Sequence, residues 1–148
     1  MSKYIECTTD VRTIKDILKD DYDTVIYDGC PGYEDFTPDT ESSLWFILKQ
    51  DSETAGLIKL ESLNLITWIP HIVIKQEYRG KGSEQWGLLV VQYMKERIKD
   101  VNFLVMTPYE TAKKYAERMG FKFIGTMPNS IKKNGELMNQ YILSGDCR

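Results

Sequence analysis

A glycine-rich turn between a β-rich run and an amphipathic helical pattern is the feature that most restricts how this chain can fold. The run from Leu65 to Lys75 is followed by Gly80-Lys81-Gly82, and apolar residues then recur at helical spacing from Trp86 to Ile98. A strand, a glycine turn and a helix in this order can bind phosphates, because amides at a helix N-terminus point outward and the helix dipole favours an anion. By itself the turn is a weak signal, and an ordinary strand-to-helix connection is the commoner explanation.

The other elements predicted from the sequence alternate between helical and strand patterns. In chain order they are a helix near 10–19, a stretch over 20–43 that is irregular or contains a short second helix, and strands over 44–49, 54–61 and 65–75. The helix from Trp86, a strand over 101–106, a helix from Pro108 to Gly120, and strands over 121–125 and 137–143 follow. A capping box of Thr107 and Glu110 begins the last helix, and Asn134-Gly135 supplies a hairpin turn. The order predicts an α/β (α+β) fold in a single domain, 1–148, with a mixed central sheet of about six to seven strands flanked by helices.

Composition narrows the class of protein. A chain of 148 residues has the length of one ordinary domain, and no segment approaches the roughly 20 apolar residues of a membrane span. The N-terminus has no apolar signal region, so we expect a cytoplasmic protein with no membrane association. Cys7, Cys30 and Cys147 are odd in number and lie far apart, which predicts free thiols and no metal site.

Charge is divided unevenly along the chain. Residues 1–74 carry 6 Lys/Arg and 14 Asp/Glu, a net charge of −8, whereas residues 75–148 carry 13 and 8, a net charge of +5. No Lys or Arg lies between Asp20 and Leu48. This stretch is either a solvated acidic loop or a surface that attracts a cationic partner and repels nucleic acid, leaving the basic half for a phosphate-bearing ligand. We expect no nucleic-acid partner.

Three segments resemble one known family. The sequence 72–82, Ile-Val-Ile-Lys-Gln-Glu-Tyr-Arg-Gly-Lys-Gly, is similar to the acetyl-CoA motif of the GNAT superfamily of acyl-CoA N-acyltransferases, a strand followed by an (Arg/Gln)-x-x-Gly-x-(Gly/Ala) loop in which Arg79 and Gly82 fill the first two fixed positions. The segments 112–121 and 134–141 resemble the next helix and the closing hairpin of the RimJ/RimL type of protein N-terminal acetyltransferase. The resemblance covers most of the chain in order.

The resemblance implies a GNAT-like fold, with the phosphate-binding loop between the fourth strand and the following helix, and an activity. The activity is transfer of an acetyl group from acetyl-CoA to a cationic primary amine, either a small molecule or the N-terminus or a lysine of a protein, by direct attack without a metal. The acceptor would lie against the first helix and the acidic stretch, and a homodimer is compatible with the resemblance. Backbone around the end of the fourth strand would stabilise the oxyanion, and the loop would hold the pyrophosphate. These cofactor-binding positions are Ile72, Val73, Ile74, Arg79, Gly80, Lys81, Gly82, Ser83 and Glu84, with Tyr109 at the start of the next helix.

His71, the only histidine, is the candidate general base, because its pKa range suits proton transfer near neutral pH. A packed or surface histidine is an equally good explanation of this residue. Glu61 and Glu77 are weaker candidates. Tyr115 is the candidate proton donor to the leaving thiolate, although it lies one residue before the position at which many relatives carry this tyrosine.

Departures from the family pattern favour a second hypothesis. Glu84 stands at the third fixed loop position, where the family has Gly or Ala, and it would put a carboxylate near a pyrophosphate. Ala116 replaces the frequent catalytic tyrosine, and Tyr109 stands where many relatives have asparagine. The alternative to an enzyme is therefore a catalytically silent GNAT-like binding or assembly protein, of a sort that occurs in tailed-phage genomes.

Overall fold

The computed structural model describes residues 2–80 and 82–147 and contains one seven-stranded sheet with helices on both faces. Its strands and helices, in chain order, are β1 (Lys3–Thr8), α1 (Val11–Leu18), α2 (Tyr22–Val25), β2 (Ser43–Gln50), β3 (Glu53–Ser62), β4 (Thr67–Ile74), α3 (Glu84–Lys95), β5 (Asn102–Thr107), α4 (Glu110–Met119), β6 (Lys122–Lys133) and β7 (Glu136–Gly145). The strand order is β1-β2-β3-β4-β5-β7-β6. Of the pairings between described strands, β4 with β5 is parallel and the others are antiparallel, so the sheet is mixed, as predicted.

Two apolar clusters cover the two faces of the sheet. Phe46, Trp86 and Phe103 belong to the larger cluster, which joins the sheet to α3 and α4. Ile14 of α1 and Leu57 of β3 belong to the smaller cluster on the opposite face. Successive side chains of a strand point to opposite faces, so the central strands β2, β3 and β4 each contribute to both clusters. The face that packs against α1, opposite α3 and α4, is called the α1 face.

Several local predictions are confirmed. The helix predicted near 10–19 is α1, and Asp10 caps it by accepting hydrogen bonds from the amides of Arg12 at 3.0 Å and Thr13 at 3.4 Å. Gly120 ends α4 in the left-handed conformation with φ of 105°, which a glycine adopts without strain. Asn134 and Gly135, both with positive φ, form the turn between β6 and β7.

The predicted start of α4 is wrong. The helix begins at Glu110 rather than Pro108, and Thr107 is the last residue of β5. The Thr107 hydroxyl accepts a hydrogen bond from the Tyr109 amide at 3.2 Å, so it closes a tight turn instead of capping the helix. Pairing of Thr107 with Tyr141 on β7 keeps it in the sheet. Pattern reasoning could not weigh this long-range strand pairing against a local capping signal.

Strand β1 was missed in the sequence. It pairs with β2 along its whole length, from Lys3 opposite Gln50 to Thr8 opposite Trp45. All six of its side chains are half-buried or exposed, because it is an edge strand, and its alternation of apolar and polar residues is correspondingly weak. Of the three tryptophans, Trp45 and Trp86 are buried, whereas Trp68 is only half-buried.

Candidate functional site

A gap between β4 and β5 forms the centre of the candidate site. The two strands pair only at Thr67 with Asn102 and at Trp68 with Phe103. Beyond these pairs β4 continues to Ile74 beside β3, and β5 continues to Thr107 beside β7. Both strands run in the same direction, so the gap opens at their C-terminal ends, where the sequence leads into α3 and α4. Open α/β sheets commonly bind ligands at this end.

The register of β4 decides which of its amides face the gap. The Lys75 amide donates to the Ala55 carbonyl at 2.8 Å, so residue 75 points toward β3. Amide directions alternate along a strand, and β4 pairs with β3 without a register shift. The Val73 amide therefore points toward β3, whereas the amides of Ile72 and Ile74 point into the gap. Only these two of the three predicted oxyanion-site residues turn their amides to the gap.

Pro70 does not break β4. It lies opposite Leu60 on β3 in a non-hydrogen-bonded pair, in which the two residues form no backbone hydrogen bonds with each other. Its nitrogen faces β5, where strand pairing has already stopped. A proline costs no ladder hydrogen bond at this position, so it is compatible with an open gap.

The glycine loop between β4 and α3 turns sharply at two residues with left-handed backbone, Gly80 with φ of 110° and Gly82 with φ of 93°. The Ser83 amide and hydroxyl both donate to the Gly80 carbonyl, at 3.1 and 2.7 Å. Within the described part of the chain, the amides of Gly80 and Gly82 donate no hydrogen bond. They are the loop's candidate anion donors, whereas the Ser83 amide is used inside the turn. Lys81, also predicted to bind the cofactor, lies outside the described residues.

Arg79 is directed toward the end of β4. Its Nε donates to the Ile74 carbonyl at 2.7 Å, and its guanidinium lies 3.9 Å from the Asp21 carboxylate. The Arg79 amide donates to the Gln76 carbonyl at 3.2 Å. The side chain therefore links the glycine loop to the segment before α2, and a phosphate contact from it stays a prediction.

Glu84 and Tyr115 join the loop to α4. Glu84 is the first residue of α3, and its Oε2 lies 3.7 Å from Nε of Arg118. The Tyr115 hydroxyl donates to the Ser83 carbonyl at 3.0 Å, and burial raises the pKa of this tyrosine. Its proton is engaged in a contact between helix and loop. The geometry thus favours a positioning role for Tyr115, and its predicted role as proton donor stays untested.

His71 projects from the α1 face of the sheet, on the same side of β4 as Val73, which packs against the α1 cluster. Its Nε2 lies 3.5 Å from Glu61 Oε1, and the same oxygen accepts from Lys59 at 2.6 Å. Desolvation by the surrounding sheet lowers the pKa of His71 below its ordinary value, against the opposing effect of Glu61. Burial acts to raise the pKa of Glu61, but Lys59 and His71 outweigh it and the net shift is downward. The His71 side chain is nevertheless 54% exposed.

The acidic stretch folds over the α1 face and is fixed by aromatic contacts. Tyr22 is buried and its ring contacts those of Tyr33 and Phe36, with centroids 5.6 and 5.1 Å away. The Tyr33 hydroxyl donates to the Lys15 carbonyl at 2.7 Å, which holds the stretch on α1. These three rings pack the stretch itself, so packing is their observed role.

The same stretch is held against the β6–β7 hairpin by hydrogen bonds of Asp28 and Lys133, which together are called the clasp. The Asp28 carboxylate accepts from the amides of Asn134 at 2.8 Å and Gly135 at 2.9 Å, and these bonds hold its pKa below the ordinary value. Lys133 donates to the carbonyls of Thr24 and, at 2.9 Å, Ile26.

Tyr27 lies in the segment held by the clasp. Burial, then neighbouring Tyr109 and Cys30, raises the pKa of Tyr27 to about 12. Lys133 Nζ lies 5.4 Å from the centre of the Tyr27 ring. Tyr109, the residue before α4, is thus close enough to Tyr27 to act on it electrostatically. Sequence reasoning missed Asp28 and Lys133, because contacts more than 100 residues apart leave no local signal.

No helix in the described ranges has the length and apolar character needed to cross a membrane. Among the same residues no group of three or more His, Cys, Asp or Glu side chains could hold a metal ion.

The fold is that of the GNAT acetyltransferases. Solved structures similar to this chain include an N-acetyltransferase from Staphylococcus aureus Mu50, with 13% identity, a TM-score of 0.79 and coverage of 99% of both chains. A ribosomal-protein-S5-alanine acetyltransferase from Vibrio fischeri has 14% identity and a TM-score of 0.78, covering 98% of this chain and 93% of that one. Spermidine N-acetyltransferase from Vibrio cholerae, solved with CoA and spermine, has 15% identity and a TM-score of 0.75, covering 97% and 94%. No family model and no curated protein sequence matches the chain.

Proposed function

We propose that this protein is an N-acetyltransferase that moves an acetyl group from acetyl-CoA to a primary amine. The observation that carries the proposal is the gap that opens beside β4 after Trp68 and Phe103 and leads to the glycine loop. The similar solved structures support it, because their names are those of acetyltransferases acting on a ribosomal protein and on spermidine, and one of them holds CoA and spermine.

The described residues offer a fit for acetyl-CoA, which would supply an activated thioester. The amides of Gly80 and Gly82, which donate to no described residue, would hold the pyrophosphate at the N-terminus of α3. The amides of Ile72 and Ile74 face the gap, so either could donate to the carbonyl oxygen as negative charge develops on it. No metal is required for this chemistry.

His71 would accept the proton that the amine loses. As the new C–N bond forms and the C–S bond breaks, the amine proton would pass to His71 directly or through a water, and the departing CoA thiolate would take up this proton from the imidazolium or one from solvent. The lowered pKa of His71 suits this role, since the base must be neutral before attack. Glu61, 3.5 Å away, would orient the imidazole and stabilise it once protonated.

The acceptor would enter on the α1 face, below the acidic stretch. This stretch has no Lys or Arg between Asp20 and Leu48, although its carboxylates at Asp28 and Asp39 are already held by hydrogen bonds. An acceptor of positive charge suits this surface, and the candidates are a protein N-terminus, a lysine side chain and a small polyamine.

The first experiment is calorimetric titration of acetyl-CoA into the protein. The second is an assay of free thiol release with three acceptors: a peptide with a free N-terminus, a peptide whose only amine is one lysine side chain, and spermidine. We expect micromolar binding and thiol release with at least one of them. Gly82→Ala should weaken binding about tenfold or more, because a side chain at φ of 93° forces the loop to change shape.

Gly29→Ala is a matched control. Gly29 has the same φ of 93°, no atom within 4 Å of an added Cβ, and a position outside the glycine loop. It should leave acetyl-CoA binding unchanged. Absence of binding at millimolar acetyl-CoA would refute the proposal, and binding without thiol release from any acceptor would favour the catalytically silent protein.

A further inference from the structure

The carboxylate of Glu84 lies at the N-terminus of α3, next to the loop that would hold a pyrophosphate. An anion at this end of a helix is favourable when no ligand is present, and it repels a second anion when one arrives. Its Oε2 is buried and has no hydrogen-bond partner among the described residues. A cation must therefore compensate this charge if the loop is to bind a phosphate-bearing ligand.

Arg118 on α4 is the cation nearest to this carboxylate in the described ion pairs. Its Nε lies 3.7 Å from Glu84 Oε2, within ion-pair reach but beyond hydrogen-bond distance. The Arg118 guanidinium carbon lies over the Tyr115 ring, 5.6 Å from its centre. The Tyr115 hydroxyl in turn holds the Ser83 carbonyl of the loop at 3.0 Å.

Close packing of α3 on α4 maintains this arrangement. A Cβ added at Gly87 would lie 2.5 Å from Cε of Met119 and 3.2 Å from the Tyr115 hydroxyl. The absence of a side chain at Gly87 thus lets α4 approach the first turn of α3. Arg118, one residue before Met119 and three after Tyr115, is carried to Glu84 by this approach.

We propose that Arg118 is a positioning residue for the cosubstrate, which neutralises Glu84 and so allows a glycine loop with an acidic residue to accept the pyrophosphate of acetyl-CoA. This rests on the proposed function. Arg118 acts through Glu84 and does not itself contact the ligand. Glu84 lowers the affinity that the loop would otherwise have, and Arg118 restores most of it.

The test is a double-mutant cycle read by calorimetric titration of CoA. Arg118→Met keeps an apolar stem over Tyr115 and should weaken CoA binding about tenfold, which corresponds to about 1.4 kcal/mol. Glu84→Gln alone should tighten binding several-fold. In the Glu84→Gln background, Arg118→Met should change the affinity less than twofold, because no carboxylate then needs compensation.

Arg97→Met is the matched control. Arg97 also stacks on a tyrosine, with its guanidinium carbon 3.5 Å from the centre of the Tyr93 ring, and also lies 3.7 Å from a glutamate, Glu96. It follows α3 at the opposite end, roughly 20 Å along the helix axis from Glu84. Arg97→Met removes the same charge as Arg118→Met, so it corrects for the general electrostatic attraction between CoA and cationic side chains. This control substitution should change the affinity less than twofold.

Dephospho-CoA locates the effect. The weakening by Arg118→Met should persist with this ligand, which keeps the pyrophosphate and lacks the 3′-phosphate. Thermal unfolding of every variant would establish whether each variant is folded. Equal weakening by Arg118→Met in both backgrounds, or none in either, would overturn the inference while leaving the proposed function intact. Failure of the unchanged protein to bind CoA would overturn both.

Discussion

Gly56→Ala is a substitution whose cost follows directly from the contact between β3 and β4. A Cβ at Gly56 would lie 2.1 Å from the carbonyl oxygen of Val73 and 3.0 Å from Cα of Ile74. Ordinary contact begins at 3.4 Å, so β4 would have to move by more than 1 Å beside the gap. Neither atom belongs to a flexible side chain, and overpacking of this kind costs about 3 kcal/mol. For a chain of this size the melting temperature should fall by roughly 6–12 °C.

Urea denaturation followed by circular dichroism measures this cost, and Gly125→Ala provides the comparison. Gly125 lies in β6, its φ is not positive, and a Cβ added there would meet no atom within 4 Å. There the same substitution should raise stability by about 0.5 kcal/mol, since it restricts the unfolded chain. Equal stability of the two variants would refute the reasoning, because it would mean that β3 and β4 are not packed as closely as described.

Three further predictions concern the site. His71→Gln should lower kcat by at least about a hundredfold and remove the fall in activity toward acid pH, measured as a pH–rate profile. Because the pKa of His71 is lowered by folding, the unfolded chain binds more protons just below pH 6.5, so stability should decline as the pH falls through that range and less so in His71→Gln. Tyr115→Phe should cost about 1 kcal/mol of stability in a thermal melt with kcat reduced less than tenfold, and a hundredfold loss would instead assign it a proton-transfer role. Asp28→Asn should raise KM for the amine and leave CoA affinity unchanged, because it loosens the clasp on the acidic stretch; a change in CoA affinity would contradict this assignment.

Much of the fold could be predicted because its signals are local. The helical stripe after Trp86, the left-handed glycine at position 120 and the Asn134-Gly135 turn each depend on neighbouring residues. The glycine loop could be found for the same reason. Strand β1 and the start of α4 depend on pairing with distant strands, and neither edge-strand exposure nor the position of Thr107 in the sheet leaves a pattern in the adjacent sequence.

The site was predictable only as a set of positions along β4 and the loop. Which amides face the gap depends on the register with β3, fixed by the bond from Lys75 to Ala55. The partners of Glu84 and Asp28, which are Arg118 and the Asn134-Gly135 turn, come from elements far away in sequence. Such contacts are set by how α4 and the hairpin pack, which periodicity and spacing do not encode.

Amide chemical shifts of isotopically labelled protein, followed during titration with desulfo-CoA, would show whether the gap and the glycine loop bind the cosubstrate. If they do, the largest changes should occur at the amides of Gly80 and Gly82 in the loop and at those of Ile72 and Ile74 along the gap. Val73, whose amide faces β3, should change less than its two neighbours. Changes confined to another surface, or no changes at millimolar ligand, would contradict the assignment of the gap as the cosubstrate site.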